Sequence, residues 1–502
     1  MSPLPALVLV PALGGAIAWL VDRPRFVGAR KITDASWRVT LMALVLETLI
    51  LVLATFRRPA HPGPWLDHFT APWIPSMGIS IRLDMDGLSL SLLWLTIILS
   101  FPCVLLATRQ IRVNAGAFHF LLLATITGII GTFLATDLFL FFFFWELMLV
   151  PMFVLISAWG HEGRHRAAIK FFLFTQGSGL LMLLSILGLV VAHFHETGVL
   201  TFDYFTLAAT RLSPSLSMVL MLGFFIAFAV KLPVVPVHVW LPDAHTQAPT
   251  AGSVLLAGIL LKTGGYGMIR FNIMLFPEAA ERFAPIAMAL GVAGILYGAW
   301  MSCAQNDVKR LIAYSSISHL GFVLLGIFSG SRTGMQGAII QMIAHGLSTG
   351  ALFLIAGSIQ DRLHTRDMHQ IGGLWTSMPR LSGAGLFFAV ASLGMPGLGN
   401  FAGEFLVLIA TWHVSPAAAV LTTAGLVLAA IYSLRMVNRI FLAPERADQQ
   451  PVTDFPARHM IILGSIMIFL VVLGLYPQPF MTFSTPSPLS ITAEPDKVES
   501  PP

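Results

Sequence analysis

The chain has 502 residues, of which 56% are hydrophobic and only 11% charged, with a formal net charge of +5. Soluble domains carry about 25% charged residues, so a water-soluble globular enzyme is excluded and a polytopic membrane protein is indicated. The 29 Lys and Arg are scattered over short loops without a dense patch, which speaks against nucleic acid and for a topological role.

A membrane span needs about 20 apolar residues. The pattern predicts an all-α chain of about fourteen transmembrane helices, near 3-20, 38-56, 86-107, 116-135, 138-158, 171-193, 216-236, 252-272, 284-303, 310-328, 335-358, 381-412, 416-441 and 459-477. The first lacks a basic leading region and a small-residue cleavage site, and so reads as a span and not a signal peptide. Of the Lys and Arg, nineteen fall in loops on one side, among them Arg164, Lys309, Arg310 and Arg366, and eight on the other, among them Arg82 and Arg270. The rich side is expected to be cytoplasmic, which puts both termini and the acidic tail ITAEPDKVESPP outside. Cys103 and Cys303 lie in apolar runs far apart, so neither a disulfide framework nor a thiolate metal site is suggested.

Two lysines remain inside spans, Lys231 and Lys262, and two acids join them, Glu146 in LFLFFFFWELMLVP and Glu404 in the twelfth span. At about 1.5 Å per residue, Glu146 lies about 12 Å and Lys262 about 15 Å into their spans. His319 and His345 fall near the middles of the tenth and eleventh. A charge at that depth costs roughly 2.5 to 3.5 kcal/mol. Four would cost roughly as much as the whole stability of a domain, about 5 to 15 kcal/mol. They must be paired or hydrated, as structural ion pairs or as a charge pathway; for the two histidines ordinary hydrogen-bonded packing is the alternative.

The segments AVKLPVVPVHVWLPDAHTQAPTAG and ASLGMPGLGNFAGEF interrupt the seventh and twelfth spans with Pro and Gly, and each has an ionisable group at the break, Lys231 and Glu404. Irregular backbone survives in a bilayer only where protein or water covers it. Paired broken helices five spans apart suggest two inverted five-helix repeats. The expected organisation is an N-terminal three-helix segment (1-115), a first repeat of spans 4 to 8 (116-272), a second of spans 9 to 13 (284-441), and a last helix with an acidic tail (442-502). Thr175, Gln176, Ser178, Tyr314, Ser315, Ser316, Ser318, Gln341, Ser348 and Thr349 surround this axis. They suit either interhelical hydrogen bonds or a hydrated proton path.

FFFFWELMLVP, the long block AFAVKLPVVPVHVWLPDAHTQAPTAGSVLLAGILLKTGGYG, KRLIAYSSISHLGF, IQMIAHGLS and LGMPGLGNFAGEF together resemble the antiporter-like membrane subunits of respiratory complex I, the proton-pumping NADH-quinone oxidoreductase. The likeness covers nearly the whole chain. It is strongest to the M branch, the counterpart of mitochondrial chain 4, because Glu404 stands where the sister branches carry lysine and because the chain stops soon after its fourteenth span. The resemblance implies a proton relay in which Glu146 pairs with Lys231, Lys262 connects, His319 and His345 are the central polar groups, and Glu404 is the terminal protonation site; Arg366 matches a loop arginine of the family. It also implies a multi-pass subunit of a translocase in the bacterial inner (plasma) membrane, beside neighbouring antiporter-like subunits and lipid. The chain carries no GxGxxG, P-loop, cysteine cluster or flavin signature, so no cofactor is expected in it, and FMN, iron-sulfur clusters and quinone are expected on partner subunits. Rival readings are a subunit of an Mrp-type cation/proton antiporter, a membrane subunit of a proton-pumping hydrogenase, and a passive scaffold with structural ion pairs.

Overall fold

The computed structural model describes residues 2–22, 35–56, 64–444 and 453–486. The acidic tail and the loop arginines Arg23, Arg25, Arg30, Arg57, Arg58 and Arg446 lie outside them. Among the described residues, 13 helices are long and apolar enough to cross a membrane, from Leu4–Val21 to Ala457–Leu475. The stretch expected as the twelfth span is instead two shorter helices, Pro379–Ser392 and Gly399–Val414. The stretch 393–398 between them is not helical; it holds Pro396 and two glycines with positive φ, Gly394 at 80° and Gly397 at 93°, a conformation that costs other residues energy.

The seventh span breaks in the same manner. Its first helix, Pro214–Lys231, ends on Lys231; chain direction resumes in Leu241–Gln247, and a third helical stretch starts at Thr250 after Pro249. The backbone polar groups freed by Pro233 and Pro236 do not go begging: Trp240 Nε1 donates to Val230 O at 2.9 Å, and Val234 N to Ala229 O at 2.8 Å. Such internal satisfaction is what an apolar solvent demands.

Packing is uneven across the molecule. The helices Thr250–Ile273, Val308–Ile327 and Arg332–Leu363 are enclosed almost entirely by protein, whereas Leu4–Val21, Ala35–Phe56, Pro416–Leu442 and Ala457–Leu475 leave most of their apolar side chains on the outside, as lipid-facing spans do. The enclosed three carry Lys262, His319 and His345. The Lys262 helix also contains two π-helical turns, Leu256–Leu260 and Met268–Ile273, which release carbonyls from regular pairing.

Among the described residues, one element departs from an all-helical chain. Trp65–Ile74 and Ile79–Asp86 form an antiparallel β-hairpin. Its second strand, ISIRLDMD, alternates apolar and polar residues with the period of two that a strand requires. It is pinned to the helices on the basic-poor face: Ser80 N donates to Asp137 Oδ2 at 2.9 Å, Arg82 pairs with Asp203 at 2.9 Å, and Asp86 with the buried Arg270 at 2.5 Å.

Candidate functional site

The six residues singled out by the sequence occupy two groups in the interior. In the first, Lys231 is enclosed at the end of its half-helix, with Nζ 5.1 Å from the centre of the Trp145 ring and 5.8 Å from that of Phe171. Aromatic faces attract a cation but do not accept its proton. Lys231 Nζ has no hydrogen-bond partner, nor has Glu146 Oε1. The expected pair is therefore not a contact ion pair: the Glu146 carboxylate reaches Lys231 only through its field. That carboxylate is seated against Gly179, where a Cβ would collide with Oε1.

The second group is two hydrogen-bonded pairs whose imidazole rings lie side by side. Lys262 Nζ donates to the Ala257 carbonyl that the π-turn sets free, and it lies 2.7 Å from His345 Nδ1. The His345 and His319 rings are 5.5 Å apart between centres. His319 Nδ1 is 2.8 Å from Glu404 Oε1, which also accepts from Gln341 Nε2 at 2.9 Å. On its other nitrogen, Nε2, His319 meets Ser392 Oγ and Tyr432 OH, each at 3.1 Å. Six separate helical segments contribute to this cluster, and all four of its principal residues are buried. Lysine, imidazole and carboxylate each exist with and without a proton, and Lys262–His345 and His319–Glu404 are within hydrogen-bond reach. Between the rings, His345 Nε2 has no partner and both His319 nitrogens are engaged elsewhere, so that step needs an intervening water or a turn of a ring.

Most of the surrounding hydroxyls do not join in. Thr175, Ser315, Ser316 and Ser348 donate to carbonyls of their own helices, and Ser318 to Ile295 O; this back-bonding is the ordinary fate of a hydroxyl on an apolar helix. The two glutamines differ: Gln341 donates to Glu404, and Gln176 hydrogen-bonds Glu146. Arg366 is a tie at the basic-rich face, pairing with Asp307 at 3.2 Å and donating to Thr246 O in the second broken-helix segment.

The comparisons with known proteins meet this geometry. A family described as NADH:quinone oxidoreductase/Mrp antiporter, TM, matches residues 135–431, a stretch that contains all six residues. NADH-quinone oxidoreductase subunit M of Pseudomonas aeruginosa is 52% identical over 498 residues, 96% of each chain, and that of Escherichia coli K12 is 51% identical over 488 residues, again 96% of each. The chain belongs to the subunit M family of NADH-quinone oxidoreductase. A chain of respiratory complex I from Thermus thermophilus superposes with a TM-score of 0.86 at 30% identity, covering 98% of this chain and 99% of that one. A chain of the Mrp complex from Dietzia sp. superposes at 0.81 with 22% identity, over 98% of both, a likeness of fold.

Within this family fold, several groups escaped the sequence reading. Tyr432 carries no charge and lies in an unremarkable apolar run, while Ser392 and Gly394 belong to the break segment ASLGMPGLGNFAGEF, where the pattern marked a break and not a partner; only the folded chain brings the three to His319 and Glu404. Lys309, counted as a loop charge, is wholly enclosed. His245, inside the block that carries the family likeness, is buried with both ring nitrogens unpartnered. A signal was present for these two: PDAHTQAP and DVKRLIAY place each beside a helix start that must pack against neighbours.

Proposed function

We propose that this chain is a proton-translocating, antiporter-like subunit of a bacterial NADH-quinone oxidoreductase, a multi-pass protein of the inner membrane, and that Glu146, Lys231, Lys262, His345, His319 and Glu404 relay the proton. The observation that carries the reading is the two contacts, Lys262 to His345 and His319 to Glu404, with the two rings side by side between them. Electron transfer belongs to partner subunits, which carry FMN, iron-sulfur clusters and quinone; this chain supplies one translocation route beside neighbouring antiporter-like subunits.

The two inverted repeats, 116-272 and 284-441, have support in a pair of matching joints. Asp137 caps the helix that follows it and bridges to Asp203 on the basic-poor face. Asp307 caps the helix that follows it and bridges to Asp367 on the basic-rich face, where Arg366 and Asp307 pair. The same device at opposite faces is what an inverted repeat produces.

Lys231 is the switch in this mechanism. An ammonium with no acceptor in a protein interior is held charged chiefly by the Glu146 field, so drawing Glu146 away or neutralising it releases a proton toward Lys262. Lys262 passes a proton from Nζ to His345 Nδ1, the imidazoles pass it on, and Glu404 takes it at the broken helix. Moving one charge against 100 mV takes about 2.3 kcal/mol, equal to fewer than two pKa units at 1.36 kcal/mol each.

Lys231→Arg and Lys262→Arg test this directly. A guanidinium keeps the charge but does not give up a proton, so both variants should assemble and lose most quinone-coupled proton pumping. Wild-type pumping in both would show that only fixed charge is needed, and would leave the scaffold reading standing.

A further inference from the structure

On the helix Thr250–Ile273 a row of side chains continues outward from Lys262. Tyr266 follows four residues on and Arg270 four beyond that, so the three share one side of the helix, with Arg270 about 12 Å from Lys262 along it. The row points to the basic-poor face. A proton escaping from Lys262 to the outside by the shortest way would run along it.

Every group on the row is engaged or has no place for a proton. Tyr266 OH donates to Phe133 O at 3.0 Å, and Tyr204 OH donates to Arg270 O at 3.1 Å. Arg270 Nη2 donates to Asp86 Oδ2 at 2.5 Å, while Asp86 Oδ1 accepts from Ser89 N at 2.9 Å. The guanidinium carbon lies 5.0 Å from the centre of the Trp65 ring and 5.5 Å from that of Tyr266. A guanidinium carries donors only and does not give up its proton. Set in a narrow path, such a group turns protons and cations back.

The β-hairpin closes over this end. Arg82, Asp84 and Asp86 are alternate residues of the strand Ile79–Asp86 and share one of its faces. That charged row is buried, turned onto the helix ends and not to water, and Arg82 is held by Asp84 at 3.2 Å and by Asp203 at 2.9 Å. Tying a hairpin down does not require buried charge, since apolar side chains of the same size serve as well as a buried ion pair. Arg270 is wholly enclosed, and its Nε and Nη1 have no acceptor, an expense that adds nothing to a tie. The charge itself is what the site retains.

We propose that Arg270, held by Asp86 beneath the hairpin, is a proton barrier that insulates Lys262 from the outer face, so that protons leave Lys262 only toward His345 and Glu404. This rests on the relay reading above. The barrier keeps pumped protons from returning through the first half of the chain, and its loss uncouples the enzyme without stopping electron transfer.

The test uses the assembled complex in proteoliposomes at matched complex content, with two readouts: proton uptake per NADH oxidised, and the decay of an imposed pH gradient without NADH. Arg270→Met opens the row. Arg270→Met with Asp86→Asn opens it while leaving no unpaired carboxylate and keeping an acceptor for Ser89 N. In both, the barrier predicts continued NADH oxidation, uptake per NADH cut by half or more, and gradient decay several-fold faster than wild type. Adding Lys262→Met to the double variant should return the decay to the wild-type rate. A tie with no barrier role predicts wild-type uptake and decay in the double variant, and that result would overturn the proposal. Fast decay that survives Lys262→Met would overturn it as well, because the leak would then bypass Lys262. Wild-type uptake in Lys262→Met alone would instead overturn the relay reading. Should Arg270→Met fail to assemble, the double variant decides.

Discussion

His319 Nδ1 stands 2.8 Å from Glu404 Oε1, across 85 residues of sequence, and the contact joins the middle of one enclosed helix to the mouth of a broken one. Both groups are buried. Glu404 Oε1 takes two partners, His319 and Gln341, and Oε2 lies against Gly394 in the break itself. The broken helix thus makes room for the carboxylate as well as exposing backbone near it.

Gly394 is accordingly a sensitive position. It has φ of 80°, and a Cβ there would sit 2.8 Å from Glu404 Oε2. Gly394→Ala should push the carboxylate off His319 and add backbone strain of about 1–2 kcal/mol, with most pumping lost in an assembled complex. Gly383→Ala, where a Cβ meets nothing within 4 Å, is the control and should pump normally. Equal activity in the two would separate Glu404 placement from function.

Tyr432 and Ser392 share one nitrogen of His319, each at 3.1 Å. Removing either hydroxyl leaves the other to hold the ring, so Tyr432→Phe or Ser392→Ala alone should lower turnover a few-fold, consistent with a single hydrogen bond of about 0.5–1.5 kcal/mol. The double variant should lose more than the product of the two, because the ring is then free to turn from Glu404. Simple multiplicative losses, measured as NADH-coupled pumping, would mean that the two hydroxyls act independently of ring orientation.

Outside the spans, Asp84 in the β-hairpin offers a test of pH dependence. Burial raises its carboxyl from 3.8 to about 6, against the opposing pull of Arg82 and the hydrogen bond from Thr136. An acid whose folded pKa is the higher contributes its full stability below about pH 4 and loses it as the pH climbs through 6. Two units correspond to about 3 kcal/mol. Thermal unfolding of the solubilised complex should therefore show Asp84→Asn gaining on the wild type between pH 4 and 7, with the difference level above that. A difference independent of pH would place the Asp84 carboxylate in a more hydrated setting.

The sequence made the spans, both breaks and the six ionisable residues visible, for one physical reason: in a bilayer a charge, a proline or a glycine inside an apolar run is costly and stands out. What it left hidden was partnership. Nothing in the local pattern says that Lys262 turns to His345 and not to Glu146, or that Glu146 and Lys231 stay out of contact. Those distances are set by π-turns and by which helices are enclosed. The hairpin was missed: ISIRLDMD alternates as a strand does, but eight alternating residues between two long apolar spans are easily absorbed into the loop. Lys309 was hidden by its position, since charge at a helix start usually means water, and here it is enclosed.

Glu404 tests the account most directly, because a relay requires it to cycle between charged and neutral forms while a structural group need only keep its hydrogen bonds. Glu404→Gln preserves size and hydrogen bonding to His319 but cannot cycle; Glu404→Asp is shorter by one methylene and can. The measurement is proton uptake by proteoliposomes per NADH oxidised, at matched complex content for both variants. The relay predicts collapse in Glu404→Gln and partial pumping in Glu404→Asp; full pumping in Glu404→Gln would contradict it.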